Sequence, residues 1–502
     1  MTTTTSARPT PAASLAPIAW PVVGTIAALA TVFHLATANV AQLHRDEFYY
    51  LAGGRHPAFG YVDHPPLVPL LYRASEAIFG RSQFGLHVLP SLIAGVFVIV
   101  AALLARELGA RTTAQALCAT VAAVGPLFLA TSRFLSTVTL DIVLWSLASL
   151  LVIRIIRSGN ARLWLLVGVV IGLGMENKHT MLFWVAGAAV GLLATKQRTI
   201  LRSPYVLGGA AIAVALTLPN LIWQIDHDWP TLEFLRSLRD DNVGERGDYL
   251  PLVLAAVSFA GIVVWVTGLV AMFRRGSAYA STRWIGVGFL FLVVAIFLAG
   301  GKGYYVASWY LPLVAVGAVA IEQRWSRRAI TAVFAALIVV GLVFLPLFTP
   351  VFSEPTIAGL GFDDANSDLG AMLGWRHFVD EVTAVVDSLP AEERKHAVIL
   401  TGSYSEAGSL QFLRTGRDFP PVYSDHNSYW WWGHPKGEDH TVIAVGIAPV
   451  ILERYFDDVQ LVKTLGRDGR PIDPEQRGAQ IAIARGQRQP WSEIWPRLRH
   501  YG

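Results

Sequence analysis

Residues 44–73, HRDEFYYLAGGRHPAFGYVDHPPLVPLLYR, carry the densest group of side chains in this chain that could do chemistry. Asp46 and Glu47 lie only a few residues after a long apolar segment, close to the surface of an expected membrane. A carboxylate at that depth is partly desolvated, which makes it a usable general base. The alternative is a solvated acidic pair that caps a short helix beside the membrane, and the local sequence leaves both interpretations open.

A second polar cluster follows in the same segment, where Asp63 and His64 precede two prolines. This cluster is either part of a substrate site or a turn that the prolines stiffen. Metal binding is a further alternative, since four side chains of metal-binding type lie close together here: His44, Asp46, Glu47 and His64. Their spacing matches no standard metal motif, so we predict no metal and no required cofactor, with a divalent ion as the alternative.

Charged side chains also flank other apolar segments on the same side of the predicted membrane. Arg133 lies just before Asp141, and an ion pair between the two would make both structural. Lys178 and His179 join two apolar segments and Lys302 joins two others; both lysines could simply snorkel to the interface. Cations that meet a carboxylate at one interface, Arg133 among them, would suit a lipid phosphate that leaves while a hydroxyl attacks.

The elements that must position these residues are membrane helices. Of the 502 residues, 53% are hydrophobic and only 15% are charged, against about 25% in soluble proteins. The single cysteine, Cys118, excludes a disulfide scaffold. We predict an α-helical polytopic membrane protein with about 11 spans. The segments long enough to cross are 18–40, 86–105, 113–131, 135–153, 163–177, 180–195, 204–224, 250–272, 284–300, 305–321 and 329–349.

Short basic connections predict the topology. Every even-to-odd connection between spans carries arginine or lysine, for example Arg154 and Arg157 after the fourth span and Arg327 and Arg328 after the tenth. By the positive-inside rule this places the N-terminus in the cytoplasm and the C-terminus outside the cell membrane. The net charge of +4 is explained by this topology and implies no nucleic-acid partner.

The opposite connections are long and hold most of the acids and histidines. We divide the chain into a disordered cytoplasmic tail (1–17), a transmembrane catalytic domain (18–350) with an outer loop (41–85), and an extracytoplasmic α/β domain (351–502). Alternating patterns in the last domain predict strands at 396–402, 441–446, 459–465 and 479–484 and helices at 405–416 and 449–456.

The order of these motifs resembles the GT-C glycosyltransferases. DE(Y)Y in the first loop, GYxDHPP about fifteen residues later, an Asp in the fourth span, a Lys after the fifth and then GKGYY and YLP are similar to the bacterial family 39 and 83 group. That group includes protein O-mannosyltransferases and the aminoarabinose transferase of lipid A. The similarity covers most of residues 18–350, and GSYSEAGSLQFL and VYSDHNSYWWWG resemble the outer domain of many bacterial members.

The resemblance implies transfer of a hexose or pentose from a polyprenyl-phosphate donor to an extracytoplasmic glycolipid, cell-wall polymer or protein, with inversion. It implies that Asp46 deprotonates the acceptor and that Glu47 orients the acceptor or the base. It places Lys178, Lys302 and Tyr304 or Tyr305 near the donor phosphate. The remaining candidates for the substrate site are Asp63, His64, Asp141 and His179.

One departure from the family pattern limits which properties of the family can be inferred for this chain. The aminoarabinose branch typically has Arg followed by Tyr after the acidic pair, whereas Phe48-Tyr49-Tyr50 follows here. A phosphate-binding arginine is therefore missing, and the lipid A specificity of that branch does not carry over.

Two rival functions stay open: a flippase or transporter of lipid-linked sugars, and a non-catalytic partner in a cell-envelope complex. Polar groups concentrated on one face favour the enzyme.

Overall fold

The computed structural model describes residues 15–241, 247, 249–255, 259–414, 419–437 and 440–502. Most of the predicted disordered tail, residues 1–14, lies outside these ranges. The end of that tail is anchored to the helix bundle. Arg106 Nε donates to the carbonyl of Ala16 at 2.9 Å, and Gln115 Nε2 donates to the carbonyl of Pro17 at 3.1 Å.

The part of the chain before residue 350 is helical. Its α-helices, in chain order, are α1 (Trp20–Ala36), α2 (Arg45–Arg55), α3 (Leu67–Phe79), α4 (Gln83–Glu107), α5 (Thr112–Val124), α6 (Pro126–Thr131), α7 (Thr137–Ser158), α8 (Leu163–Met175), α9 (Met181–Leu193), α10 (Pro204–Asp226), α11 (Pro230–Asp241), α12 (Tyr249–Ala255), α13 (Phe259–Phe273), α14 (Arg283–Leu298), α15 (Tyr310–Arg324) and α16 (Arg327–Phe348). Short 3₁₀ helices lie at Lys196–Arg202, Ala280–Thr282 and Gly303–Trp309.

The eleven predicted spans fall on these helices, except that residues 256–258 of the predicted span 250–272 lie outside the described residues. The helices confirm a multipass membrane protein. Six described helices are long and apolar enough to cross a membrane, and five shorter apolar helices accompany them. The predicted third span is broken into α5 and α6 because Pro126 offers no N–H to continue the helix. α15 lies at the centre, with every residue from Tyr310 to Ile321 buried. α16 instead exposes apolar side chains such as Val343, which suits contact with lipid.

The two ends of the helix bundle carry different charged residues. At one end the basic connections meet buried acids: Glu107 accepts hydrogen bonds from Arg154 at 3.1 Å and from Arg157 at 2.7 Å. Glu322 accepts from the backbone N–H of Arg111 at 2.8 Å. α2, α3 and the C-terminal domain lie at the opposite end. The long acidic connections and the basic connections therefore occupy different faces, as the charge pattern predicted.

The C-terminal domain is a small α/β unit. Its helices are α17 (Glu354–Gly359), α18 (Phe362–Ala365), α19 (Ser367–Gly370), α20 (Trp375–Ser388), α21 (Ala391–Lys395), α22 (Tyr404–Leu413), α23 (Ser428–Trp431), α24 (Pro449–Leu452) and α25 (Trp491–Leu498), and its strands are β1 (Ala397–Thr401), β2 (Val422–Ser424), β3 (Thr441–Val445), β4 (Phe456–Thr464) and β5 (Gln480–Gln487). The strand order is β2-β1-β3-β5-β4, with β1 parallel to both neighbours and β5 antiparallel to both of its own.

All four predicted strands are present, but one predicted helix is wrong. Only the first turn of 449–456 is helical, and β4 already begins at Phe456. Phe456 is fully buried while Asp457 and Asp458 are exposed, so pairing with β5 determines the structure of this segment. β2, α20 and α25 lie outside the predicted elements, and β2 is too short for its pattern to stand out.

The C-terminal domain is fastened directly to the first outer loop. Gln42 Nε2 donates to both carboxylate oxygens of Glu354 at 2.9 Å, and Arg45 forms ion pairs with Asp473 and Glu475 at 3.5 and 2.5 Å. α22 packs across α2 so closely that a Cβ at position 408 would lie 2.6 Å from a carbon of Phe48. Gly408 of the GSYSEAGSLQFL motif thus permits this contact.

Candidate active site

α2 separates the roles of the two neighbouring acids. His44 is its N-cap, and His44 Nδ1 accepts a hydrogen bond from the backbone N–H of Asp46 at 3.1 Å. Glu47 Oε2 accepts in return from the backbone N–H of His44 at 2.8 Å, which completes a capping box. Because successive residues of a helix point in different directions, Glu47 turns into the protein and Asp46 turns outward.

Glu47 is a buried anchor of the loop. Its side chain accepts from Tyr72 Oη at 3.0 Å and lies 3.1 Å from His87 Nε2. Burial works against the charged form, but the hydrogen bond and charge of His87, the backbone bond from His44 and the nearby Arg133 hold the pKa of Glu47 below its ordinary value. Glu47 therefore stays ionised and positions α2, which fits the companion role that the resemblance implies.

Asp46 is the accessible carboxylate of the pair. About a third of its side chain is exposed (32%), whereas that of Glu47 is almost fully covered (1%). Asp46 Oδ1 accepts a hydrogen bond from Tyr404 Oη, 2.9 Å away, at the start of α22. The second oxygen of the carboxylate makes no hydrogen bond to a described residue. A carboxylate held at one oxygen and open at the other suits proton abstraction.

Two stacked tyrosines link Asp46 to a second carboxylate. The rings of Tyr404 and Tyr49 lie 4.6 Å apart at an angle of 24°, and Tyr49 Oη donates to Asp63 Oδ1 at 2.8 Å. The backbone N–H of Ser428 donates to Tyr49 Oη at 3.1 Å. Burial raises the pKa of Asp63 above its ordinary value. Tyr49 therefore joins the outer loop to the C-terminal domain.

Lys178 supplies positive charge between these carboxylates. It lies in the connection from α8 to α9, partly buried, and interacts electrostatically with Asp141, Asp46 and Asp63. Burial and repulsion by Lys302 lower the pKa of Lys178. Its Nζ lies 5.9 Å from the centre of the Tyr305 ring. The lysine makes no ion pair shorter than 4.0 Å with a described residue, so its charge is available to a ligand.

Asp141 is held beside Lys178 by neutral donors. Asn177 Nδ2 donates to one carboxylate oxygen at 2.8 Å, and the hydroxyl of Thr180 donates to the other. The alternative in which Asp141 forms an ion pair with Arg133 does not hold, since these two described side chains are not within ion-pair distance. Arg133 is buried near Glu47 and donates to the carbonyl of Thr37 at 3.1 Å, because the turn after α1 leaves carbonyls that need donors. We leave Arg133 out of the phosphate site.

Lys302 and the two tyrosines after it lie on the 3₁₀ helix at Gly303–Trp309. Lys302 is exposed, and the rings of Tyr304 and Tyr305 meet edge to face at 4.9 Å. The phenolic hydroxyl of each tyrosine can donate a hydrogen bond. Lys302 is close enough to Lys178 for electrostatic repulsion between the two cations.

Two predicted histidines support the loop rather than face a substrate. His64 is buried among tyrosine rings with its Nδ1 3.0 Å from the carbonyl of Pro65. His179 Nε2 lies 3.1 Å from Asn220 Oδ1, and Asn220 Nδ2 donates to the carbonyl of Phe59 at 2.8 Å. His179 thus joins the connection between α8 and α9 to α10, and Asn220 joins α10 to the outer loop. The described residues that could together hold a metal ion are His377, Glu381 and Asp468, which lie in the C-terminal domain and include none of the four loop candidates.

Sequence reasoning missed the contribution of the C-terminal domain. Tyr404 and Ser428 belong to the two phrases of that domain that carry the family resemblance, but the sequence gives neither residue a role. The only signal was the presence of hydroxyl groups in both phrases. The contact of Tyr404 with Asp46 bridges 358 positions, and that of Ser428 with Tyr49 bridges 379.

Replacement of Tyr404 with phenylalanine is expected to lower turnover about tenfold, because Asp46 loses the hydrogen bond that favours and orients its charged form. The acidic limb of the rate profile should also move to higher pH, which a purely structural role would not cause. Tyr423→Phe, at a tyrosine of β2 with no hydrogen bond from its hydroxyl to a described residue, is the matched control. Equal profiles for Tyr404→Phe and the wild type would remove the positioning role.

Glu406, which caps α22, should make the stability of the C-terminal domain depend on pH. Burial raises its pKa from 4.5 to about 8, so the folded domain retains a proton that the unfolded chain loses. Rising pH between these values therefore destabilises the fold. Glu406→Gln keeps an acceptor for the Ser403 N–H, 3.1 Å away, and its stability advantage over the wild type should grow from about pH 5 to about pH 8.

Hydrogen exchange of the α22 amides in the full chain, corrected for intrinsic rates, measures this effect. Glu392→Gln, at an exposed glutamate, should show no advantage that grows with pH. An advantage of Glu406→Gln that is constant across the range would contradict the expected protonation.

A comparison with solved structures identifies the fold. ArnT from Cupriavidus metallidurans, in a crystal structure bound to undecaprenyl phosphate, matches with a TM-score of 0.61 at 14% sequence identity. The match covers 93% of this chain and 98% of that chain. The protein is therefore a multipass membrane protein with the GT-C fold, as the order of its motifs predicted.

Sequence comparisons point to the same group. Residues 63–223 match the family model for dolichyl-phosphate-mannose-protein mannosyltransferase. The lipopolysaccharide core galacturonosyltransferase RgtB of Rhizobium johnstonii is 26% identical over 281 residues, 52% of this chain and 49% of that protein. The lipid A galacturonosyltransferase RgtD of the same organism is 23% identical over 284 residues, 55% of this chain and 59% of that protein. The chain spans about half the length of these curated relatives, and the matches confirm the resemblance to GT-C glycosyltransferases.

Proposed function

We propose that this protein is an integral membrane glycosyltransferase that moves a sugar from a polyprenyl-phosphate donor to an extracytoplasmic acceptor. The observation that carries the proposal is the arrangement around Asp46. One oxygen of this carboxylate is held by Tyr404 while part of the side chain stays exposed, and a partly buried Lys178 without a close partner acts on the same site. The GT-C fold of the chain supports the same assignment.

The geometry supports a single displacement with inversion. Asp46 takes the proton of an acceptor hydroxyl, whose oxygen forms a bond to the anomeric carbon as the bond from that carbon to the donor phosphate breaks. The electron pair of the broken bond stays on the polyprenyl phosphate. Lys178 and Lys302 stabilise the charge that grows on this leaving group, and Tyr304 or Tyr305 adds a hydrogen bond from a neutral hydroxyl. The proton ends on Asp46.

The donor sugar is a hexose or a pentose. The relatives in the sequence comparison are named as galacturonosyltransferases and the family model as a mannosyltransferase, so galacturonic acid and mannose are the first sugars to test. We place the Asp46 face outside the cell membrane and the basic connections in the cytoplasm, because Arg154 and Arg157 belong to short connections at the opposite end. The acceptor is then reached from the extracytoplasmic side.

A donor-turnover assay on the purified protein in lipid vesicles tests the proposal. Polyprenyl-phosphate hexoses and pentoses are offered with an envelope extract, and mass spectrometry follows free polyprenyl phosphate and the glycosylated product. Release of polyprenyl phosphate coupled to product supports the transferase. Movement of intact lipid-linked sugar across the vesicle bilayer, with no release from any donor, would instead identify a flippase.

A further inference from the structure

A cavity of about 400 Å³ lies outside the proposed catalytic site, where the outer loop meets the C-terminal domain. It is formed by the C-terminal end of α2, the residues just after α3 and the C-terminal end of α22. Three arginines line it: Arg55, Arg81 and Arg414. α2 rises about 1.5 Å per residue, so Arg55 at its end lies about 14 Å along the helix from Asp46.

The arginines of the cavity outnumber the described carboxylates beside them. Glu76 is the one carboxylate within ion-pair distance of these arginines among the described residues, 2.9 Å from Arg55 and 3.7 Å from Arg81. Arg414 has no ion pair with a described residue. Three guanidinium groups therefore face one carboxylate. Burial, then repulsion by Arg55 with a smaller contribution from Arg414, lowers the pKa of Arg81.

About half of the Arg81 side chain is exposed (47%), but its guanidinium is held at the cavity by several contacts. Its Nη2 donates to the carbonyls of Gln411 and Phe412 at 3.0 and 3.4 Å, and its guanidinium lies 5.0 Å above the Phe412 ring. These contacts hold the planar group at the end of α22, and its Nη1 makes no hydrogen bond to a described residue. A fixed guanidinium with free donors is suited to the oxygens of a phosphate.

The neighbouring residues place the cavity at the level of lipid head groups. Ile78 and Phe79, at the end of α3, and Phe84, at the start of α4, are exposed apolar side chains that flank Arg81 in sequence. Exposed apolar side chains that lie together, rather than singly, are typical of a surface that contacts a membrane or a partner. An arginine directly beside them then lies at the interface, where lipid phosphates are found.

We propose that Arg55, Arg81 and Arg414 form a second phosphate-binding site, separate from the donor site, for the phosphate head group of a membrane lipid. The phosphate lies between the three guanidinium groups, and the lipid chains follow the apolar surface of Ile78 and Phe79 into the bilayer. A phosphate monoester is favoured over a zwitterionic head group because its greater negative charge matches the excess of arginine. The assignment depends only on these residues and not on transfer activity.

Native mass spectrometry of the detergent-purified full chain tests the site, with dioleoyl phosphatidic acid, dioleoyl phosphatidylcholine and inorganic phosphate as separate probes. Phosphatidic acid should bind at least about tenfold more tightly than either other probe. Arg414→Gln, which removes no hydrogen bond to a described residue, should weaken that binding about tenfold, and Arg81→Gln/Arg414→Gln should abolish it. Arg454→Gln/Arg467→Gln, at two exposed arginines of the same domain, removes equal charge elsewhere and should leave binding unchanged.

Three outcomes would overturn the proposal. An equal loss in the Arg454→Gln/Arg467→Gln control would mean that general attraction to a basic surface causes the binding. Inorganic phosphate binding as tightly as the lipid would indicate a site for a soluble anion. Phosphatidylcholine binding as tightly as phosphatidic acid would mean that the arginines do not select the head group. The transferase proposal is unaffected by any of these results, because donor turnover is measured separately.

Discussion

Asp46→Asn is expected to lower the release of polyprenyl phosphate by about 10²- to 10⁴-fold, the contribution of a positioned general base. Asparagine retains an oxygen that can accept the hydrogen bond from Tyr404 Oη, 2.9 Å away, so α2 and α22 should keep their contact. The amide cannot take the proton of the acceptor hydroxyl. Donor affinity should stay near that of the wild type, since the cations that hold the phosphate are unchanged.

Two variants sharpen this test. Asp380→Asn, at an exposed aspartate of α20, controls for the loss of one carboxylate and should leave turnover intact. Asp63→Asn removes the other carboxylate of the site, which accepts a hydrogen bond from Tyr49. We expect a smaller loss of turnover than in Asp46→Asn, because the Asp63 side chain is less exposed (20% against 32%). Wild-type turnover in Asp46→Asn, or the larger loss in Asp63→Asn, would remove Asp46 as the base.

Lys178→Gln is expected to lower kcat/KM about 10²- to 10³-fold, comparable to the loss of one preorganised donor at a developing charge. Lys178 lies at the electrostatic centre of the site, where Asp141, Asp46 and Asp63 all act on it. Without this cation the leaving phosphate loses its most buried counter-charge. Both donor affinity and the rate with bound donor should fall, as measured by donor titration and single-turnover release.

The control for charge loss is Lys196→Gln, at the opposite end of the bundle, which should keep wild-type kinetics. Asp141→Asn in the Lys178→Gln background tests whether the two side chains act together. The carboxylate of Asp141 accepts from both Asn177 and Thr180, and the amide of the variant can accept from only one of them. The Thr180 hydroxyl can turn and accept from the amide N–H instead, so the double variant should fold. Full activity of Lys178→Gln with unchanged donor affinity would remove the phosphate role of this lysine.

Much of the architecture is local and was therefore predictable from the sequence. Apolar segments of sufficient length became helices, and the breaks fell where proline or glycine interrupts them, as at Gly125 and Pro126. Four strands of the C-terminal sheet were predicted because alternating apolar residues pack into one core. The predicted helix 449–456 of the C-terminal domain was wrong beyond its first turn. The chain from Phe456 onward pairs with β5, and strand pairing overrides a local helical pattern.

The candidate site was likewise predictable from the sequence only in part. The types and order of Asp46, Glu47, Lys178 and Lys302 were sufficient to predict the GT-C fold and one outward face. Which acid is accessible depends on the phase of α2, and the structure shows that Glu47 turns inward to His87 and Tyr72. The sequence left open whether Arg133 pairs with Asp141 or binds phosphate, and the structure shows neither because backbone carbonyls and Glu47 surround the guanidinium.

The sequence by itself determined the membrane helices, the charge difference between the two ends and the group of side chains at the outer face. Each of these depends on residue type and short spacing, which hydrophobic burial and the positive-inside rule translate directly into structure. Only the tertiary structure decided that Tyr404 holds Asp46 and that Ser428 supports Tyr49. Those contacts join residues more than 350 positions apart, and the first of them depends on the close packing of α22 on α2 that Gly408 permits.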